Sequence, residues 1–248
     1  MSAVIGTAGW SIGREHAECF PAVGTALERY AQVFNGVEVN SSFSRSHRPS
    51  TWAKWAASVP EHFRFAVKLP KAITHQAKLV DCDALVAQFA QEVAPLGAKL
   101  AVLLVQLPPK FGFDRSVVEN FFSTLRSSID AQIVCEPRNA SWFTDEADAM
   151  LARSKVARVA ADPMLVPAAG VPGGWRGLAY WRLHGSPAVY RSSYTDEAIT
   201  LYAQRLRARI EEDIVPWCIF DNTAGMAATR NALSLVMTLE REQGLATK

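Results

Sequence analysis

Residues 100–106, Leu-Ala-Val-Leu-Leu-Val-Gln, form a short apolar run that ends in a polar residue and precedes Leu107-Pro108-Pro109. An apolar run of this length, closed by prolines, is typical of a buried β-strand. It is far too short to cross a bilayer, which needs about 20 consecutive apolar residues. The segment therefore predicts a strand with a polar side chain, Gln106, at its carboxyl end.

Seven further segments carry the same signal, and stretches with helical spacing separate them. The eight candidate strands are residues 4–7, 36–40, 63–68, 100–106, 132–136, 158–162, 178–184 and 217–221. Residues 196–212 form the clearest predicted helix, because apolar side chains recur along one face. Residues 163–177 are rich in Pro, Gly and Ala and are predicted to form an irregular loop.

The alternation of strands and helices predicts an α/β protein with a parallel sheet. The 248 residues contain no repeat and no linker, so we expect one domain over residues 1–248. At this length, eight strands fit a closed TIM-type (β/α)8 barrel better than an open, doubly wound sheet, which remains the alternative. The sequence has no glycine-rich nucleotide-binding motif to favour that alternative.

The composition restricts the class of protein. The chain has 26 basic and 24 acidic side chains, and a net charge of +2 is too small to coat nucleic acid by bulk electrostatics. Its four cysteines are dispersed without a CxxC pair, which favours a reducing cytoplasm over a zinc ribbon or a thioredoxin-like site. The amino terminus has no signal-peptide pattern. We therefore expect a cytoplasmic protein without a membrane partner.

Polar residues gather at the carboxyl ends of the predicted strands, where TIM barrels carry their active sites. These residues are Glu38, Asn40, Lys68, Gln106, Glu136, Arg138, Asp162, Arg182, His184, Asp221 and Asn222. Side chains two positions apart share one face of a strand. If that face points inward, side chains from several strands converge on one cavity.

The cations of this set indicate an anionic ligand. Lys68, Arg138 and Arg182 are expected to bind a small anion, in particular a phosphorylated molecule. An alternative is that Glu38 and Arg182 form a buried ion pair that only fixes the packing.

Histidine is the residue most suited to proton transfer near neutral pH. His184 ends a predicted strand and His75 follows a strand-exit loop, so both are candidates for a general acid or base. Glu136 or Glu38 is expected to carry a second proton or to orient the base. The remaining histidines are interpreted as surface residues: His16, His47 and His62.

A metal site is the less favoured interpretation of the same residues. Glu136, Asp162, His184 and Asp221 offer ligand types that barrel hydrolases gather from successive strands. The neighbouring cations would compete with a metal, and the sequence lacks HxH and HExxH motifs. We therefore expect neither a metal nor another cofactor.

Several motifs follow one another along the chain. They are Gly6-Thr7-Ala8-Gly9-Trp10-Ser11, Gly36-Val37-Glu38-Val39-Asn40-Ser41-Ser42-Phe43, Ile73-Thr74-His75, Glu136-Pro137-Arg138, Ser141-Trp142-Phe143, Arg182-Leu183-His184-Gly185 and Asp221-Asn222-Thr223. This series resembles the domain of unknown function 72 family, also called YecE-like, over nearly the whole chain. The resemblance implies a TIM-type barrel and no established reaction.

The positions that match the family are largely those at the strand ends. The matching positions include Asn40, Gln106, Trp142 and Asn222, which we expect to belong to the substrate site. Three positions depart from the family pattern: Ser44 replaces an aromatic residue, Asn139 replaces a histidine, and Gln76 replaces an acidic residue. If those positions carry essential chemistry, the specificity or activity of this protein is altered.

Three functions are compatible with these residues. The favoured one is an enzyme that acts by acid–base chemistry on a small anionic substrate. The second is metal-dependent processing of nucleic-acid phosphodiesters, which the charge and the few histidines disfavour. The third is a non-catalytic binding protein.

Overall fold

The predicted apolar segments form the strands of the protein. The computed structural model describes residues 2–246, with side chains through residue 241. Within these residues the strands are β1 (Val4–Thr7), β2 (Gly36–Val39), β3 (Arg64–Lys68), β4 (Leu100–Gln106), β5 (Gln132–Glu136), β6 (Val156–Arg158), β7 (Ala160–Asp162), β8 (Gly173–Gly174), β9 (Ala179–Leu183) and β10 (Pro216–Phe220). Each of the eight candidate segments contains a strand.

The strands pair in two sheets. One sheet has the order β1-β10-β9-β7 and the other has the order β2-β3-β4-β5-β6-β8. All pairs are parallel except the short antiparallel pair β6–β8. The prediction of an α/β protein with parallel strands is confirmed. The predicted strand 158–162 differs, because it divides at Val159 into β6 and β7, which belong to different sheets.

Helices follow most of the strands. They are α1 (Ala26–Tyr30), α2 (Pro49–Ala57), α3 (Asp83–Val93), α4 (Arg115–Ser128), α5 (Asp145–Arg153), α6 (Asp196–Glu211) and α7 (Ala227–Ala246). Side-chain oxygens of Thr25, Asp114, Thr144 and Thr195 accept amide hydrogens in the first turns of four helices. The predicted helix 196–212 is confirmed as α6. Residues 163–177 form a loop with one 3-10 turn and the two-residue strand β8.

An apolar core lies between the inner faces of both sheets. It contains alternate strand residues, which share a face because side chains of a strand alternate. Members from different strands are Val4, Ala66, Val102, Leu104, Val134, Ala157, Tyr180, Trp217 and Ile219. The neighbouring strands β1 and β2 approach closely, since a Cβ atom on Gly6 would overlap the carbonyl oxygen of Gly36.

A larger apolar core lies between the strands and the helices. His47 lies in this outer layer, only 8% exposed, so its interpretation as a surface residue is wrong. Its ring contacts Trp52 and Trp55 edge-on, and its Nε2 lies 2.8 Å from Ser41 Oγ. Among residues 2–246, no helix combines the length and the apolar content needed to cross a membrane.

Candidate functional site

The inner faces of the strands become charged at their carboxyl ends. On β9, the core residue Tyr180 is followed on the same face by Arg182 and then by His184. Glu38 is the last residue of β2 on this inner face, and Glu136 is the last of β5. Asp221 directly follows β10. The alternation that builds the core therefore brings these side chains together. We call Glu38, Glu136, Arg182, His184 and Asp221 the charged cluster.

Arg182 is the centre of the charged cluster and has no exposed surface. Its Nε and Nη2 donate to the two oxygens of Glu38 at 2.9 and 2.6 Å, and its Nη1 donates to Glu136 Oε2 at 2.5 Å. Its Nη2 also donates to Asp221 Oδ2 at 2.9 Å. The alternative interpretation of Glu38 and Arg182 as a buried ion pair matches this geometry. Arg182 was expected to bind the anion, but four of its five N–H donors are directed at carboxylates.

His184 is also fully buried and lies between two carboxylates. Its Nδ1 is 3.0 Å from Asp221 Oδ2, and its Nε2 is 2.9 Å from Glu136 Oε1. Arg138 Nη2 approaches the same region, 2.9 Å from His184 Nε2 and 2.5 Å from Glu136 Oε1. A protonated Nε2 donates to Glu136, whereas an unprotonated Nε2 accepts from Arg138. The protonation state of His184 Nε2 thus determines whether it pairs with Glu136 or with Arg138.

The charges in this cluster shift the pKa values of its members. Burial opposes the charged form of His184, but the charge of Glu136 and the hydrogen bonds to Asp221 and Glu136 outweigh it and raise its pKa. Burial likewise opposes ionisation of Glu136, but Arg182 and Arg138 lower its pKa well below the usual value. Burial also raises the pKa of Asp221, but the charge of Arg182 outweighs this effect and lowers the pKa. The cluster therefore favours ionised carboxylates beside a readily protonated histidine.

Lys68 and His75 lie beside the cluster, and both contact the same aromatic ring. Lys68 Nζ is 4.2 Å from the centroid of the Phe43 ring, and the His75 ring contacts Phe43 edge-on at 4.9 Å. Burial and the charge of Lys68 lower the pKa of His75. His75 and Lys68 are both partly exposed. We call Lys68, Arg138, Asn40 and His75 the edge of the site.

Several polar atoms near the charged cluster are buried and have no hydrogen-bond partner among the described residues. They are Asn40 Oδ1, Arg138 Nε and Asn222 Oδ1. The amide nitrogen of Asn222 donates to Ser192 O and to Asn231 Oδ1, which anchors the loop after β9. Buried polar atoms are normally paired, so unpaired ones at a site are candidates for ligand contacts.

Two predicted residues lie elsewhere. Trp142 is fully buried in the outer core, and its Nε1 donates to Phe111 O at 3.0 Å, so it does not reach the charged cluster. Asp162 accepts a hydrogen bond from Tyr194 Oη at 2.6 Å. Asp162 thus pairs with Tyr194, whereas Glu136, His184 and Asp221 pair with one another and with the arginines of the site. In the described part of the chain, no three His, Cys, Asp or Glu side chains are arranged to hold a metal ion.

Gln106 ends β4 opposite Glu136 in the register and is partly buried. One residue of the site was not singled out from the sequence. Tyr180 donates its hydroxyl to Glu38 Oε2 at 3.0 Å. Its position two residues before Arg182 places both side chains on one face of the strand and was a usable signal. The Tyr190 ring, in the loop after β9, contacts His184 edge-on at 5.7 Å.

Comparisons with known proteins assign the chain to a family. The sequence pattern that defines "Protein of unknown function DUF72" matches residues 4–248. The chain belongs to the DUF72 family. The match confirms the resemblance identified from the motifs.

Individual DUF72 relatives agree with this assignment. The chain is 39% identical to the UPF0759 protein YecE of Escherichia coli K12 over 88 residues, or 36% of this chain and 32% of YecE. It is 30% identical to the UPF0759 protein YunF of Bacillus subtilis 168 over 149 residues, or 56% of this chain and 52% of YunF. The matched parts thus span about a third of the length of YecE and about half of the length of YunF.

A solved DUF72 structure has the same fold. The crystal structure of a DUF72 family protein from Enterococcus faecalis V583 superimposes with a TM-score of 0.81 and 22% identity. The superposition covers 96% of this chain and 95% of that one. At this identity the comparison concerns the fold alone.

The three departures from the DUF72 pattern lie outside the charged cluster. Ser44 and Gln76 line a cleft of about 180 Å³ that also includes Phe43. Asn139 accepts hydrogen bonds from the backbone and hydroxyl of Ser141 and donates to Pro109 O. Asn139 therefore stabilises a loop, whereas Ser44 and Gln76 shape a space next to the site.

Proposed function

We propose that this protein is an enzyme that acts by acid–base chemistry on a small anionic substrate, in the simplest case a phosphorylated one. The observation that carries the proposal is the position of His184 Nε2, 2.9 Å from both Glu136 Oε1 and Arg138 Nη2. A histidine between a carboxylate and a guanidinium can gain or lose a proton by exchanging its hydrogen-bond partner. His184 is thus the proposed acid or base, oriented by Glu136 and Asp221.

Arg138 is the proposed anion-binding residue. Its side chain is 24% exposed, its buried Nε has no partner, and one of its nitrogens adjoins His184. An anion bound to Arg138 would therefore lie next to His184 Nε2. Lys68 is a second basic residue near the cluster, at the end of β3, and Gln106, Asn40 and Asn222 supply amide groups at the strand ends.

The other members of the cluster have positioning roles in this proposal. Glu38 binds Arg182 with both oxygens, and Arg182 in turn holds Glu136 and Asp221. This arrangement keeps the two carboxylates in place on either side of His184. His75, beside Lys68, is the second candidate for proton transfer. The cleft lined by Ser44 and Gln76 offers room for an uncharged part of the substrate.

The proposal includes a single-domain, TIM-type barrel as the scaffold. Gly9 N donates to Glu38 O at 2.8 Å and so joins β1 to β2, and the adjacent β6 and β7 join the sheets at the other side. If β6 and β7 count as one strand and β8 as an addition, eight strands form a ring. Hydrogen exchange tests this, because the amide of Gly9 should exchange as slowly as amides within β3 and β4.

We further propose a cytoplasmic location, because all four cysteines are free thiols, three of them buried. A reducing compartment keeps such thiols unpaired.

Thermal melting with candidate ligands tests the enzymatic proposal. EDTA-treated protein is melted with phosphate, sulfate, sugar phosphates and nucleotides, and with divalent metals in parallel. A ligand at a hundred times its dissociation constant adds about 2.7 kcal/mol, which corresponds to several degrees for a chain of this size. We expect stabilisation by phosphorylated compounds, and its loss in Arg138→Ala.

Arg115→Ala is the matched control, because this exposed arginine pairs with Glu119 on the helix surface. It should retain the full stabilisation. Equal stabilisation of Arg138→Ala and the native protein would contradict the proposed site. Stabilisation by zinc or manganese alone would instead favour the metal-dependent phosphodiester function.

A further inference from the structure

Two partly buried lysines of this protein differ in how their ammonium groups are bound. Lys99 Nζ donates to Ala56 O at 2.8 Å and to Val59 O at 2.9 Å, and it lies 3.6 Å from Glu61 Oε2. Lys68 Nζ has no hydrogen bond and no ion pair among residues 2–241, whose side chains the structure describes. Its described contact is the face of the Phe43 ring, 4.2 Å from the centroid.

The surroundings of Lys68 increase the fraction of its neutral amine. An ammonium group that is partly withdrawn from water without gaining acceptors loses hydration that the protein does not replace. Burial lowers the pKa of Lys68, the charge of Arg182 lowers it further, and three nearby carboxylates counteract these effects only in part. A neutral lysine amine is a nucleophile, and burial beside another cation is a known way to activate it.

Lys68 is also placed where a substrate can reach it. It ends β3, its side chain is partly exposed, and it belongs to the same set of strand ends as Glu136 and Arg138. His75 contacts the same Phe43 ring edge-on, and its Nδ1 lies 2.9 Å from Thr74 Oγ1.

We propose that Lys68 is a covalent nucleophile that forms an imine with a carbonyl compound bearing a carboxylate or phosphate group. This inference rests on the proposed function, because Arg138 binds the anionic group and so brings the carbonyl carbon to Lys68. It adds the substrate class, an anionic aldehyde or ketone, and a covalent step.

The step balances without a further reactant. Lys68 Nζ forms a bond to the carbonyl carbon, and the π electrons of the C=O bond move to oxygen. The two protons of the neutral amine leave with that oxygen as one water molecule, and a C=N bond remains. His75 and His184 are the groups that transfer these protons. Nothing is oxidised or reduced.

Reductive trapping tests the proposal directly. The native protein is incubated near neutral pH with sodium cyanoborohydride and either pyruvate or dihydroxyacetone phosphate, which carry the two anionic groups. Butanone serves as an uncharged control. Hydride converts an imine to a stable secondary amine, so the protein gains the mass of the carbonyl compound less one oxygen atom. Peptide mapping then locates the modified lysine.

We expect one modification per chain, at Lys68, with pyruvate or dihydroxyacetone phosphate and little with butanone. Which of the two ketones reacts identifies the anionic group. Lys71 is an exposed lysine three residues away and reports background reactivity in the same region. Lys68→Arg should abolish trapping, because arginine forms no imine under these conditions. Lys71→Arg should react like the native protein.

Absence of trapping, or labelling of Lys71 as extensive as that of Lys68, would overturn the covalent role. The melting experiment then separates the two proposals. If phosphate still stabilises the native protein but not Arg138→Ala, the anion site stands without the imine. If phosphate stabilises neither, both proposals fail.

Discussion

The charged cluster and the edge of the site lie side by side but differ in how completely their polar atoms are paired. In the cluster, Arg182 makes four hydrogen bonds to three carboxylates without any exposed surface. At the edge, Lys68 Nζ lacks an acceptor, and Arg138 Nε and Asn40 Oδ1 are buried without partners. A fully paired network stabilises a structure, whereas unpaired groups retain capacity for a ligand. The difference indicates that the charged cluster holds the reacting groups in position, whereas the edge of the site binds the ligand.

The test with the largest expected effect removes Arg182, the central cation of the charged cluster. Arg182→Met removes the cation that three buried carboxylates share, and breaking a buried ion pair costs about 3–5 kcal/mol. We expect a loss of this size in the free energy of unfolding, measured by urea denaturation. In contrast, Arg115→Met breaks an exposed pair and should cost at most about 1 kcal/mol. Equal losses would show that Arg182 is not the centre of a stabilising network.

A second test concerns Trp142, which lies in the outer core and not at the edge. Trp142→Phe leaves Phe111 O without its donor, so the protein should lose about 2 kcal/mol of stability. Stabilisation by phosphate should be unchanged, as measured by thermal melting. A native-like melting temperature combined with weaker ligand stabilisation would return Trp142 to the substrate site.

The pH dependence of stability tests the charges around His184. Because the folded-state pKa of His184 is raised above 6.5, its contribution is present below this pH and is lost as the pH rises through the folded value. The free energy of unfolding should therefore decline as the pH rises above about 6.5 and through the raised pKa of His184.

The matched variants for this test are His184→Gln and His62→Gln. His184→Gln should be less stable at the lower pH but show a flatter profile. His62 is exposed, so its variant should keep the native slope. A slope that is identical in all three proteins would mean that His184 is not the group that titrates.

The smallest change in stability is expected for a substitution of Asn40, at the edge of the site. Asn40→Ala removes an acceptor that has no partner, so the free energy of unfolding should stay within about 0.5 kcal/mol of the native value. Binding of sugar phosphates should weaken, because Asn40 Oδ1 then cannot accept from a substrate hydroxyl group. Inorganic phosphate should bind as before, and the exposed Asn120→Ala should change neither property. A large loss of stability would place Asn40 in the cluster.

The hydrophobic pattern alone located the strands and most of the site residues. Each apolar segment became a strand because its residues are buried on both faces, and the period of two then placed Arg182 and His184 on the inner face of β9. The same argument placed Glu38 and Glu136 at the ends of their strands. These are local properties of the chain and can be read from the order of its residues.

The partner of each side chain depended on the tertiary structure. The sequence could not show that Arg182 is surrounded by Glu38, Glu136 and Asp221, because these residues come from different strands and meet only when the sheets pack together. The same holds for the burial of Trp142 and for the division of the predicted strand at Val159. The sequence determined which residues reach the strand ends, and the packing decided which of them are paired and which remain available. The physical reason is that pairing depends on distances between segments far apart in the chain.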